Sequence, residues 1–455
     1  MTYLDDMRQA CSRQLDWQRP QGVLYQSYYD GEPAIIALLN TDERRVFKQF
    51  LDESQANWCS LVVDAVAERL QVVAFQWGAS SDTAWSIWQA NGMDADAEMV
   101  QTDALVTGTG YVLVQPDDSN PVGVSITPES PFEVTVLYQP GTARRVVQAG
   151  FKRFESPDGK RTEILMLPDV IATWAPNAGD PDVTTNPAGQ IGLIEIRPQP
   201  RTMGAPRSEL DNCIPIQDRI HTTIFNRLVA TDFGAFRQIW ATGVKLARQI
   251  VTSDDGSTTE VVVKPWDIGA NRLLTNENPD GRFGAFPGDT LGGYLSCIEA
   301  DIEALAAITK TPPYYLHGKM VNLSADAIKA AEAGLVAKVR RRMLHIGEAW
   351  ESVVRLALSL VGDPGAANME GQALWADPET RSIAQLADAL TKFQSIGVPQ
   401  EILWQRLGAT PAEIDAWKKM QAANPVPARA TVPLPAAPGD VVPAAADTVP
   451  ADTTG

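Results

Sequence analysis

The chain has 455 residues, of which 44% are apolar, and a formal net charge of −18. The length predicts roughly three domains, and the apolar share is ordinary for a protein with a sizeable core. The acidity speaks against a protein that wraps nucleic acid on a basic surface. It leaves open a passage through which nucleic acid slides, because acidic walls repel phosphates, and bulk solvation explains it equally.

Leu4, Met7, Cys11 and Leu15 predict a short amphipathic helix that stops before Pro20. Tyr25 to Pro33 reads as an aromatic loop closed by Asp30-Gly31. A long helical region is expected over Asp42 to Leu70, then a strand over Val72 to Trp77. Two helices follow, Asp82 to Ala90 and Asp94 to Val106, the second ended by Gly108 and Gly110. The pattern then changes to strands at Tyr111–Gln115, Val122–Thr127, Phe132–Tyr138, Val146–Phe154, Thr162–Leu167, Ile171–Trp174 and Ile191–Ile196, with turn residues between them.

A helix is predicted from Ser208 to about Asp232, with Pro215 early in it. Residues 236–288 read as a compact insert with strands at Arg237–Trp240 and Glu260–Val263 and an exposed hairpin tip at Asp254-Asp255-Gly256-Ser257. From Asp289, the apolar steps Leu291, Leu295, Ile298, Ile302, Leu305 and Ile308 place one stripe on a second helix. Thr311-Pro312-Pro313 stops it. Tyr314 to Asn322 is too aromatic for a disordered linker. Ser324 caps a long helix that runs to Val361, about 55 Å at 1.5 Å per residue. Such a helix either spans an assembly or lies in the core of a bundle. Three short helical pieces follow, starting at Asp377-Pro378, Glu401 and Thr410-Pro411. From Pro425 the Pro, Ala, Val, Thr and Asp composition predicts a disordered tail.

Catalytic signatures are sparse. Gly159-Lys160 and Gly318-Lys319 lack the rest of a phosphate loop, and Gly108-Thr109-Gly110 follows a helix and opens a strand, the reverse of a dinucleotide fingerprint. Cys11, Cys59, Cys213 and Cys297 are far apart and read as buried thiols of a reducing compartment. His221, His317 and His345 are isolated, so no metal site is predicted. Abundant carboxylates with 12 tryptophans would suit a glycosidase, yet Trp85, Trp88 and Trp350 sit at core spacings. Lys338, Arg340, Arg341 and Arg342 form one basic cluster, either a solvated helix face or a contact for nucleic acid or an acidic neighbouring subunit. The acidic start and the lack of a long apolar run predict no signal peptide, no membrane span and an intracellular chain.

Several stretches, taken in order, resemble the portal proteins of tailed phages, above all those of siphophages that infect actinobacteria. They are Tyr28-Tyr29-Asp30-Gly31-Glu32, Asn57 through Leu70, Ala104 through Val112, Phe225-Asn226-Arg227-Leu228 and Phe236 through Gly243. Thr311 through Leu316 and Ser324-Ala325-Asp326-Ala327-Ile328 complete the set. The likeness spans about residues 20–420.

The resemblance implies an α+β portal fold. Residues 1–206 would be the wing, 207–235 and 289–310 the two stem helices, and 236–288 the clip. Residues 311–323 would be the tunnel loop, 324–364 the long wing helix, 365–424 the helical crown and 425–455 the tail. It also implies a ring of about twelve subunits that passes double-stranded DNA and meets the terminase large subunit, the head–tail adaptor, and capsid and scaffold proteins. Such a chain belongs in the virion, and in the host cytoplasm during assembly. It is not an enzyme and needs no cofactor. Lys310, Tyr314, Tyr315, His317, Lys319 and Asn322 would lie at the tunnel, and Asp254 and Asp255 would meet a clip partner. The competing expectations are another non-catalytic head or connector protein and an acidic hydrolase with a disordered tail.

Overall fold

The computed structural model describes residues 3–32, 50–142, 146–176, 179–202, 205–235, 239–243, 248–252, 258–262, 280–285, 291–318, 325–379, 383–407, 409 and 411–423. Asp254, Asp255, Lys319, Asn322, the Ser324 cap and the tail from Pro425 lie outside them. So do residues 33–49, and with them the first part, 42–49, of the helix expected over Asp42 to Leu70.

Helix α1 runs from Tyr3 to Tyr29, straight through Pro20. The expected stop before Pro20 and the aromatic loop after it are both corrected. Pro20 removes one amide donor, but Met7, Cys11, Leu15, Tyr25 and Tyr28 are buried along this helix, and that burial outweighs the lost bond. Gly22 lets the helix lie close to Phe132, whose ring stands 2.9 Å from where a β-carbon would be. The last turn is pinned by phenols: Tyr25 donates to Asp211, Tyr28 to Asp218 at 2.6 Å and Tyr29 to Asp64 at 2.9 Å.

Helix α2 covers only Cys59–Ala67. The Ala56–Trp58 segment before it is held by side chains and is not part of one long helix: Gln217 accepts from the Trp58 amide at 3.1 Å and donates to the Ala56 carbonyl at 2.5 Å. Strand β1 (Val72–Gln76) follows, then α3 (Ser81–Ala90) and α4 (Met93–Thr107) as their periodicity predicts. Gly108 closes α4 at φ +90, and Gly110 passes so near that a β-carbon would meet the Val100 carbonyl at 2.6 Å. Both glycines of Gly108-Thr109-Gly110 therefore serve packing. Gly110→Val is expected to lower stability by about 1–3 kcal/mol through overpacking. A thermal melt that overlays the parent's would refute this.

Strands β2 (Gly110–Pro116), β3 (Val124–Glu129), β4 (Val134–Tyr138), β5 (Val147–Glu155), β6 (Arg161–Met166) and β7 (Val170–Trp174) agree with their expected positions. Strand β8 (Asp182–Thr185) was not expected; all four of its residues are exposed, so it has no in–out alternation to read. Strand β9 (Leu193–Ile196) completes the set. All pairs are antiparallel, in a three-stranded sheet ordered β3-β2-β9 and a five-stranded meander β4-β5-β6-β7-β8. Helix α1 covers the meander through Met7, Cys11 and Leu15 against Phe151, Leu165 and Trp174.

Helix α5 spans Ile214–Ala235, so its start is later than Ser208. Pro215 falls in its first turn, where a missing amide costs nothing. The insert holds two antiparallel pairs: β10 (Ile239–Thr242) with β13 (Arg282–Ala285), and β11 (Arg248–Thr252) with β12 (Thr258–Val262). Helix α6 (Leu291–Thr309) returns along α5. Only Ile298, Ile302 and Leu305 of its expected stripe are buried, while Leu291, Leu295 and Ile308 are exposed.

A short α7 (Pro313–His317) precedes α8 (Ala325–Leu360), the 36-residue helix that the sequence predicts. Gly362 at φ +73 follows its end. Strand β14 (Gln372–Trp375), where only helical pieces were expected, pairs antiparallel with β1 across most of the chain. Helices α9 (Ile383–Ser395), α10 (Gln400–Arg406) and α11 (Pro411–Ala423) complete the described chain. Asp377-Pro378 does not begin a helix; Asp377 accepts from the Glu379 amide at 3.2 Å instead. The main core joins α2, α3, α4, α5, α6 and α8, with Trp350 of α8 edge-on to Trp88 of α3 at 5.1 Å.

Candidate functional site

The elbow between α6 and α8 is the candidate site, and local chemistry makes it turn. Lys310 takes a left-handed φ of 58, a conformation usually left to glycine. The Thr311 amide then bonds back to the Ala306 carbonyl at 3.1 Å, the six-to-one closure that ends a helix. Pro312 is extended (φ −57, ψ 135), Pro313 opens α7, and Gly318 ends it at φ 63. The described part of the interruption, Tyr314 to Gly318, is thus a compact helical turn.

Two networks fasten this turn to the body. In the first, the buried Glu209 receives Lys338 at 2.9 Å and Arg342 at 2.5 Å from α8, and Gln199 donates to it at 3.0 Å. Lys338 also donates to the Thr309 carbonyl at 3.0 Å. The end of α6 therefore sits beside the segment that leads into α5, so the two helices run antiparallel. Burial alone would raise the Glu209 carboxyl, but the two cations outweigh it and hold the group below its ordinary 4.5.

In the second network, Arg69 donates to the Tyr315 hydroxyl at 2.6 Å and to the Ala65 carbonyl at 2.9 Å. Its guanidinium also lies 5.4 Å from the centre of the Tyr315 ring. Tyr314 donates to Glu332 of α8 at 2.5 Å, and Trp58 donates its indole N–H to the Leu316 carbonyl at 3.3 Å. Burial, followed by the Glu332 contact, raises the Tyr314 phenol. Tyr314, Tyr315 and Leu316 thus anchor the turn, while Lys310 and Gly318 are exposed and His317 is half-buried.

The basic cluster divides. Lys338 and Arg342 are 8% and 7% exposed and point inward to Glu209, so the four cations do not form one solvated face, the first of the two readings of this cluster. Helical spacing puts positions 338 and 342 on the same face, and that face is the buried one. Arg340 reaches Asp377 at 3.7 Å and Glu379 at 4.0 Å, and Arg341 is exposed. Glu209, Arg69 and Glu332 were not singled out from sequence; their partners lie too far along the chain for any spacing to mark them. Cys297 is exposed, contrary to expectation, whereas Cys11, Cys59 and Cys213 are buried.

The Trp58 clamp itself rests on α5. His221 is 3% exposed, and its Nε2 lies 2.7 Å from the Ala56 carbonyl. Burial holds its imidazole below the ordinary 6.5. A depressed histidine contributes stability that is complete above pH 6.5 and is lost as pH falls below it, because the unfolded chain takes the proton first. His345, lowered by burial and by Arg341 and Arg342, acts with the same sign. Melting temperature is therefore expected to fall between pH 7 and pH 5.5, with a shallower slope in His221→Asn; equal slopes would exclude His221 as a source.

Among the described residues, no group of histidine, cysteine and carboxylate side chains is arranged to hold a metal ion. No helix among them is long and apolar enough to cross a membrane.

A family model described as "Phage portal protein, SPP1 Gp6-like" matches residues 10–425. The chain is 26% identical over 394 residues to a protein of Mycobacterium phage L5 named "Portal protein", covering 82% of this chain and 79% of that one. It is 27% identical over 381 residues to a "Portal protein" of Mycobacterium phage D29, covering 79% and 77%.

Proposed function

The chain belongs to the SPP1 Gp6-like phage portal protein family, and from that premise we propose that it closes into a ring at one capsid vertex and forms the channel for double-stranded DNA. Portal proteins are structural components of the virion capsid. About twelve copies make the ring, each presenting the same patch to its neighbour's complementary one. Residues 1–206 and the long helix within 324–364 form the wing, 207–235 and 289–310 the stem, and 365–424 the crown. The clip, 236–288, docks the terminase large subunit during packaging and the head–tail adaptor afterwards, with Asp254 and Asp255 at the contact. Capsid and scaffold proteins meet the outer surface, and assembly takes place in the host cytoplasm.

The observation that supports this reading best is the order of parts. Antiparallel α5 and α6 bracket a strand-built insert, then a double-proline turn leads into a 36-residue helix. The net charge of −18 suits a bore from which DNA is readily released. Lys310, His317, Lys319 and Asn322 supply weak contacts that each subunit makes and breaks, with lysines acting as point charges toward phosphate. Tyr314 and Tyr315 hold the turn on the body through Glu332 and Arg69.

The test is to delete residues 319–322, which spares α7, the Gly318 that closes it and its contact with Trp58. Rings are expected to assemble at parental mass, while heads retain several-fold less DNA. Unchanged packaging and retention would remove the turn from the mechanism. A monomer in the parent, by mass measurement, would remove the ring.

A further inference from the structure

Cys59 opens α2, and Cys213 immediately precedes α5. They lie 154 positions apart in sequence, yet their sulfur atoms stand 3.2 Å from each other. Both residues are 0% exposed and both are free thiols. A disulfide bond is about 2.05 Å long, so closing the gap takes a small side-chain adjustment.

We infer that Cys59 and Cys213 form an oxidisable latch that fastens the base of α5 to α2 when the protein meets a peroxide. One thiol attacks the peroxide oxygen, breaks the O–O bond, becomes a sulfenic acid and releases water. The second thiol then displaces the sulfenic oxygen, which leaves as a second water, and the S–S bond forms. Two thiols give up two electrons and two hydrogens, and one peroxide becomes two waters.

The site sets the conditions of the reaction. The contact with Cys213, then burial, keeps Cys59 in the thiol form, which slows attack at neutral pH. Burial excludes bulky oxidants and favours one as small as hydrogen peroxide. The neighbours are Gln217, whose side-chain oxygen is 3.9 Å from Cys59, with Asp218 and Tyr28 close by. A virion protein leaves a reducing cytoplasm for an oxidising exterior, which gives the latch a use; its chemistry does not depend on the channel reading.

The experiment uses the full chain carrying Cys297→Ser, so that the exposed thiol cannot exchange. The protein is treated with hydrogen peroxide, quenched, unfolded in N-ethylmaleimide, and examined by intact mass and peptide mapping. The expected product has lost two hydrogens, carries one maleimide, on Cys11, and yields a cross-linked peptide pair containing residues 59 and 213. Dithiothreitol should restore all three thiols. The closed loop should raise the melting temperature by about 5 °C. Cys59→Ser and Cys213→Ser should each prevent the cross-link, and if either variant fails to fold, the map of the parent decides alone. Sulfinic acids without a cross-link, a bond to Cys11, or three alkylated thiols after a treatment that oxidises methionine would each overturn the latch.

Discussion

Glu209→Ala is expected to destabilise the chain by about 3–5 kcal/mol, the effect of leaving buried cations without their counter-charge. Glu209 is 8% exposed, and Lys338 and Arg342 beside it are equally enclosed. Without the carboxylate, two charges sit in the interior with no route to water except unfolding of the elbow. The total stability of a folded chain is of the same order, so the variant should be largely unfolded or insoluble at growth temperature. The triad has a second test: Glu209→Met combined with Lys338→Met and Arg342→Leu removes all three charges and should recover most of the loss. Protonating Glu209 imitates the deletion. Because its folded carboxyl is held below 4.5, its contribution is present above pH 4.5 and disappears as pH falls through the lower folded value. An alanine variant that unfolds at the parent's urea midpoint would show that the three groups are not coupled.

Trp350→Ala should have an effect of similar size, about 3–5 kcal/mol, by opening a cavity at the centre of the main core. Trp350 is 0% exposed and stands edge-on to Trp88, with their planes 85° apart, and Phe75 meets Trp88 in turn at 5.2 Å. The Gln101 amide, turned with its oxygen toward the indole, accepts from Trp350 Nε1 at 3.2 Å and donates to the Leu70 carbonyl at 2.7 Å. Alanine removes the ring contacts and leaves the Gln101 oxygen without its donor. Trp350→Phe keeps most of the volume and should recover much of the loss, though not the hydrogen bond. Near-ultraviolet circular dichroism reports both changes, since the Trp88–Trp350 pair should contribute strongly there. If alanine leaves the spectrum and the melt unchanged, α8 is not seated on this pair.

The candidate site was only half legible. Pro312 and Pro313 mark the turn in any reading, because proline acts on the backbone beside it. That the turn is a packed helix was hidden: Tyr314 and Tyr315 gain their roles from Glu332 and Arg69, and no spacing rule links positions that distant. The run Lys338 to Arg342 divides between surface and interior for a related reason. A helix sorts neighbouring residues onto different faces, and which face is buried depends on where Glu209 arrives.

What the sequence determined by itself is local. The strands from Gly110 to Trp174, the helices at Ser81 and Met93 and the 36-residue helix ending at Leu360 follow from periodicity and turn chemistry within a few residues. Only the tertiary structure decided that α1 continues through Pro20, that β1 pairs with β14, and that Cys59 meets Cys213. Each of these balances a local preference against burial or pairing with a partner far along the chain. The balance is settled only when the core closes, because a buried contact gains its free energy from the water that both partners exclude together.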